Sequence, residues 1–94
     1  MGKSWVKEKT YIVLVQTEKK YLSFPYHRCH TGLNHIAFYA DSRGEVDSLT
    51  AELKNRGVPI LYKDRHPYAG GKDYYALFFE DPDRIKVEVT VFTA

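Results

Sequence analysis

Two residues carry most of the chemistry this 94-residue chain has to offer: His35, in the apolar run LNHIAFYA, and Glu88, within KVEVTV. An ionised carboxylate among valines is costly to bury unless it finds a partner. Either its face of the strand is solvated, or a cation or metal ion sits against it. His35 is a similar case, because a neutral imidazole on a strand face is a good ligand for a divalent ion. The pattern alone leaves two readings open. One is an outward-facing glutamate with a core histidine; the other is a metal-binding pair.

Other chemistry-bearing residues read more plainly. His27, Cys29 and His30 lie close together, but His-x-Cys-His is not zinc-finger spacing and no second Cys/His pair follows. They read as a surface loop or strand edge. The opening Met-Gly-Lys-Ser-Trp-Val lacks the glycine-rich loop of a phosphate site, and its valine at position 6 misses the myristoylation pattern.

Regular elements must position the two residues. Residues 33–39 read as a strand whose alternation places His35, Ala37 and Tyr39 on one face. A helix follows, with Ser42 as N-cap and Glu45 at the capping-box spacing. Its apolar stripe is Val46, Leu49 and Leu53, and Gly57 stops it, with Pro59 beyond. Residues 59–62 and 74–79 read as two further strands, separated by a loop containing Pro67 and Gly70-Gly71. Asp81-Pro82-Asp83-Arg84 is a turn with proline at its second position, leading into a last strand over 85–92. There Ile85, Val87, Val89 and Val91 share one face, and Lys86, Glu88 and Thr90 the other.

Upstream, Ser4 to Val6 reads as the end of a strand, Glu8-Lys9 as a turn, and residues 11–17 (YIVLVQT) as a second strand. That apolar run calls for burial on both faces or packing against another chain. Residues 18–31 form a polar and aromatic connector in which Pro25 argues against a helix. The expected fold is α+β, with residues 1–31 as N-terminal strands and connector and 32–94 as a βαβββ module.

Composition excludes several classes. A net charge of +2, evenly spread, does not point to nucleic acid. No run reaches the ~20 apolar residues of a membrane helix, and no secretory signal opens the chain. The single cysteine allows no internal disulfide, which fits a cytoplasmic location. Eight tyrosines suit a sheet with one wet face or an interface.

GLNHIAFYA, a helix, and then YYALFFEDPDRIKVEV resemble the vicinal oxygen chelate superfamily, which contains glyoxalase, extradiol dioxygenases and bleomycin-resistance proteins. The resemblance covers residues 32–91, with Arg84 standing where glycine is common in the family's turn. It implies a metal-binding histidine on the first strand of the module and a metal-binding glutamate on the last, here His35 and Glu88. Such proteins usually pair two modules around a site with up to four ligands. Residues 4–17 look like the last two strands of a partner module, which makes Gln16 a third candidate ligand.

The resemblance therefore implies a divalent metal ion (zinc, nickel, iron or manganese) that chelates a small oxygenated substrate for isomerase, lyase or dioxygenase chemistry. Glu88 is the candidate proton-exchanging residue, Tyr39 and Tyr75 are candidates to line the pocket, and Arg65, His66 and Tyr68 lie in a loop able to cover it. A homodimer, with or without exchange of the N-terminal strands, completes a His2Glu2 site. Two other readings share the fold: a non-catalytic small-molecule binder, and a shortened member that has lost its site.

Overall fold

In the computed structural model, which describes residues 2–7 and 10–91, the helix forms where its punctuation places it. α1 runs Arg43–Asn55. The Ser42 Oγ accepts a hydrogen bond from the Glu45 amide at 3.1 Å, and the Glu45 carboxylate accepts from the Asp41 amide at 2.5 Å. This is a capping box whose return arm lands one residue early. At the other end Gly57 takes φ +74°. Its amide donates to the Lys54 carbonyl and that of Val58 to the Leu53 carbonyl, the bond pair of a Schellman stop.

The strands form two separate sheets. β1 (Gly2–Lys7) and β2 (Thr10–Val15) pair as an antiparallel hairpin; the expected turn at Glu8-Lys9 lies outside the described residues. β3 (His35–Ala40), β4 (Ala76–Glu80) and β5 (Lys86–Val91) form a mixed sheet in the order β3-β5-β4. β3 runs parallel to β5, and β4 runs antiparallel to it. The architecture is the α+β arrangement expected, with one helix on one face of the sheet.

Several boundaries differ from expectation, each for a local reason. The strand expected over residues 59–62 shrinks to a single bridge between Ile60 and Phe79. Tyr62 adopts φ +56°, which turns the chain out of the extended region before a ladder can grow. The third strand starts at Ala76 rather than residue 74, because the Tyr74 amide is held by the Gly71 carbonyl in the preceding turn. β2 ends at Val15, so Gln16 and Thr17 fall outside it, and residue 92 lies outside the described residues. In the connector only Lys19–Tyr21 coils, as one 3-10 turn.

The turn before β5 is built on Asp81. Its Oδ1 accepts from the amides of Asp83 and Ile85 at 2.9 and 2.8 Å, while Arg84 is held at φ +68°. Glycine adopts that conformation most readily, which accounts for its frequency there.

The core lies between α1 and the sheet. Val46, Ile60 and Leu77 are its buried centre, with Leu49, Leu53, Tyr75, Phe79, Val89 and Val91 packed around them. The sheet's other face carries Lys86, Glu88 and Thr90, and among the described residues no helix covers it. The connector is tied to the sheet by Arg28, whose Nη1 lies 2.5 Å from Glu80 Oε2, with Arg84 Nε 3.7 Å from the same oxygen. Among the described residues, neither hairpin strand packs against α1 or the three-stranded sheet. Tyr11, Val13, Leu14 and Val15 stand more than half exposed, so both faces of β2 are open. No helix among the described residues is long and apolar enough to cross a membrane.

Two outcomes follow from this packing. Leu77→Ala empties the fully buried centre of the core and should cost about 2–5 kcal/mol in urea denaturation. Arg28 holds the Glu80 carboxyl below its ordinary value of 4.5, with Arg84 adding to the effect. A carboxyl lowered by folding stabilises the fold above its unfolded value, and that contribution is lost as pH falls through the lowered value. The melting-temperature gap between wild type and Arg28→Met should therefore narrow on acidification from about pH 6 to about pH 3. A constant gap would contradict the ion pair.

Candidate functional site

Glu88 lies on the central strand and is only 5% exposed. β5 pairs with Ala37 on one side of it and Phe78 on the other, so the surroundings are apolar. A carboxylate so placed needs specific partners. It has two: the Tyr74 hydroxyl donates to Oε2, and His35 Nε2 lies 3.2 Å from Oε1. Parallel pairing of β3 with β5 brings the histidine there, because His35 sits opposite Lys86, on the same face as Glu88.

The orientation of His35 is set from behind. Its Nδ1 lies 2.7 Å from Asn34 Oδ1, an atom that only accepts, so Nδ1 carries the ring hydrogen. In the neutral ring Nε2 then presents a lone pair to the lone pairs of Glu88 Oε1. Two acceptors 3.2 Å apart need a proton or a cation between them. Donors ~2.1 Å from one metal ion stand ~3.0–3.4 Å apart at octahedral to tetrahedral angles, so the separation fits a shared ion. An outer carbonyl oxygen on the far ring nitrogen is the usual support for a ligating imidazole. The pair fits half a site: among the described residues no third His, Cys, Asp or Glu joins it.

The other predicted residues divide between the two faces. Tyr39 pairs opposite Thr90 and lines a shallow hollow of about 170 Å3 together with Ala37, Phe38, Tyr74 and Thr90. Tyr75 does not join it. Its hydroxyl donates to Asp47 on the helix, the Arg43 guanidinium lies 4.7 Å from its ring centre, and Tyr68 packs edge-on against it. Alternation across the sheet gives the site to its neighbour Tyr74, a residue the sequence reading passed over. An adjacent tyrosine pair at a strand's start always offers one member to each face, and that was the available signal.

Gln16 is exposed, directly after β2 in the separate hairpin, and makes no part of the His35–Glu88 cluster within one chain. The His27 and His30 rings meet tilted at 48° with centres 5.6 Å apart, beside an exposed Cys29. In the loop, burial, with some repulsion from Lys54, pushes the His66 imidazole below its usual range. Tyr68 also serves the helix side, while Arg65 lies over the Tyr62 ring and Gly70 packs against Tyr74.

A family model for the glyoxalase/bleomycin resistance protein/dioxygenase superfamily matches residues 8–89. The chain belongs to this superfamily. It is 53% identical over 88 residues to the uncharacterized protein YqjT of Bacillus subtilis (strain 168), covering 94% of this chain and 69% of that protein. It also matches the crystal structure of a "putative glyoxalase" from Bacillus halodurans, with 58% identity and a TM-score of 0.94. That match covers 97% of this chain and 68% of the other, so the outlying hairpin belongs to the shared shape. A hypothetical protein from S. aureus shares the fold at 16% identity and a TM-score of 0.65, over 97% of this chain and 66% of that one.

For this superfamily member, the hydrogen bond to Glu88, and secondarily burial, hold the Tyr74 phenol above its usual range. Glu88→Gln removes the charge while leaving an acceptor. Tyr74 should then titrate earlier, closer to 10.0, in an NMR titration of ring-labelled tyrosine. An unmoved Tyr74 resonance would mean that the two groups do not interact.

Proposed function

We propose that this protein binds a divalent metal ion through His35 and Glu88 and that a second copy completes the ligand set, giving a His2Glu2 site for a small oxygenated substrate. The observation that carries the reading is the 3.2 Å approach of His35 Nε2 to a buried Glu88, with Asn34 fixing the ring from behind. Zinc, nickel, iron and manganese all accept these donors.

The dimer follows from two open surfaces. Both faces of β2 are uncovered, and β3 has a neighbour on one side only among the described residues. Apolar strands and free sheet edges of this kind are stable when another chain covers them. In this reading residues 1–31 supply strands to a paired module and 32–94 form the module that holds His35 and Glu88. Exchange of the hairpin between copies also brings Gln16 toward the partner's site.

When bound, the ion supplies Lewis acidity toward two adjacent substrate oxygens, as isomerase, lyase and dioxygenase reactions of chelated substrates require. The chain's own residues do the rest. Tyr74 holds Glu88 Oε2 and the ion would hold Oε1, so Glu88 can take or return a substrate proton only when one of these two contacts is released. Tyr39 and Tyr74 flank the hollow beside Glu88 and shield the substrate from water. The same aromatic hollow supports a second reading, retention of a small molecule without turnover. Dependence of binding on the ion separates the two.

Native mass spectrometry on protein purified without chelator or affinity metal tests the reading. The expected species is a dimer carrying one divalent ion, and His35→Ala with Glu88→Ala should remain folded while losing it. A double variant that keeps its metal would remove these residues from the ligand set. A metal-free wild type that still binds small aromatic ligands would favour retention without chemistry.

A further inference from the structure

Lys86 is the cross-strand neighbour of His35 on one side and of Glu80 on the other, on the face that carries Glu88. The lysine is half-buried and its ammonium group is held in place. Nζ donates to the Tyr62 hydroxyl at 2.9 Å and lies 5.0 and 5.2 Å from the ring centres of Tyr62 and Phe78. Those two rings meet edge to face at 5.4 Å, forming a rigid corner behind the charge. The Arg65 guanidinium lies 5.4 Å from the Tyr62 ring, so a second cation stands at the rim.

What this corner lacks is a counter-charge. Glu80 is the acid nearest in register, but Arg28 and Arg84 already engage its carboxylate. Among the described residues no carboxylate forms an ion pair with Lys86 or Arg65. A fixed cation two residues along the strand from Glu88, about 7 Å by strand geometry, is placed to receive a negative group on whatever occupies the site. Charge-assisted hydrogen bonds to an oxyanion are the strong ones, and an aromatic corner limits their competition with water.

We propose that Lys86 is an anion anchor, with Arg65 as its rim partner, and that the substrate carries a carboxylate beside its two chelating oxygens. The inference rests on the metal-binding reading of His35 and Glu88 and adds a substrate class to it: small hydroxy or oxo acids rather than neutral carbonyl compounds.

Two matched chelators provide the test. Succinic monohydroxamate and its methyl ester present the same metal-binding oxygens and differ in one charge. Calorimetric titration of the metal-loaded protein should give about tenfold tighter binding of the acid than of the ester. Lys86→Met, which keeps the apolar stem, should remove that preference while leaving ester affinity within about twofold, and Lys86→Arg should restore it. Equal binding of acid and ester by wild type overturns the anchor while leaving the metal site standing, as does a preference that survives in Lys86→Met. If neither compound binds, the chelation reading fails and takes the anchor with it.

Discussion

The site depends on one act of strand pairing. β3 and β5 lie parallel and side by side, and their register places Ala37 opposite Glu88 and His35 opposite Lys86. Residues 53 positions apart in sequence thereby come within 3.2 Å. Parallel neighbours need a long crossover, and α1, the loop and β4 supply it. The helix therefore does more than fill the core. Its N-cap and its Schellman stop fix where the chain leaves β3 and where it begins its return.

The sheet divides the labour between its faces. Val89 and Val91 turn toward α1 and pack on the core, which leaves the alternate residues of β5 free to be polar. A buried glutamate is tolerable there because Tyr74 and His35 replace the water it has lost. Lys86 solves the same problem differently, by resting on two aromatic rings and a tyrosine hydroxyl. The face thus carries fixed charges of both signs within one strand. Such an arrangement suits a small polar ligand better than a greasy one.

Much of this was legible in the sequence, and the misses have local causes. The helix, the odd-even split of the last strand and the His35/Glu88 pairing all follow from periods of 3.6 and 2, together with the family resemblance. The strand expected over residues 59–62 was not legible as a mere bridge, since nothing in ILY announces that Tyr62 will take a left-handed conformation. Tyr75 was chosen over Tyr74 because strand phase at an element's first residues is set by the preceding turn, which pattern alone does not date. Lys86 read only as a member of the polar face of the last strand. The hydroxyl that holds its ammonium group belongs to Tyr62, 24 positions away. Asn34 was likewise invisible, because its role depends on the ring it stands behind.

The two jaws of the His35–Glu88 pair differ in mechanical footing. Glu88 is on the middle strand, with backbone hydrogen bonds on both sides, whereas His35 is the first residue of a strand bonded on one side only among the described residues. Amides flanked on both sides open only in large unfolding events, while strand ends fray easily. The glutamate is consequently the stationary member of the pair, and the histidine, held by Asn34 behind its ring, sits at the strand end that frays first.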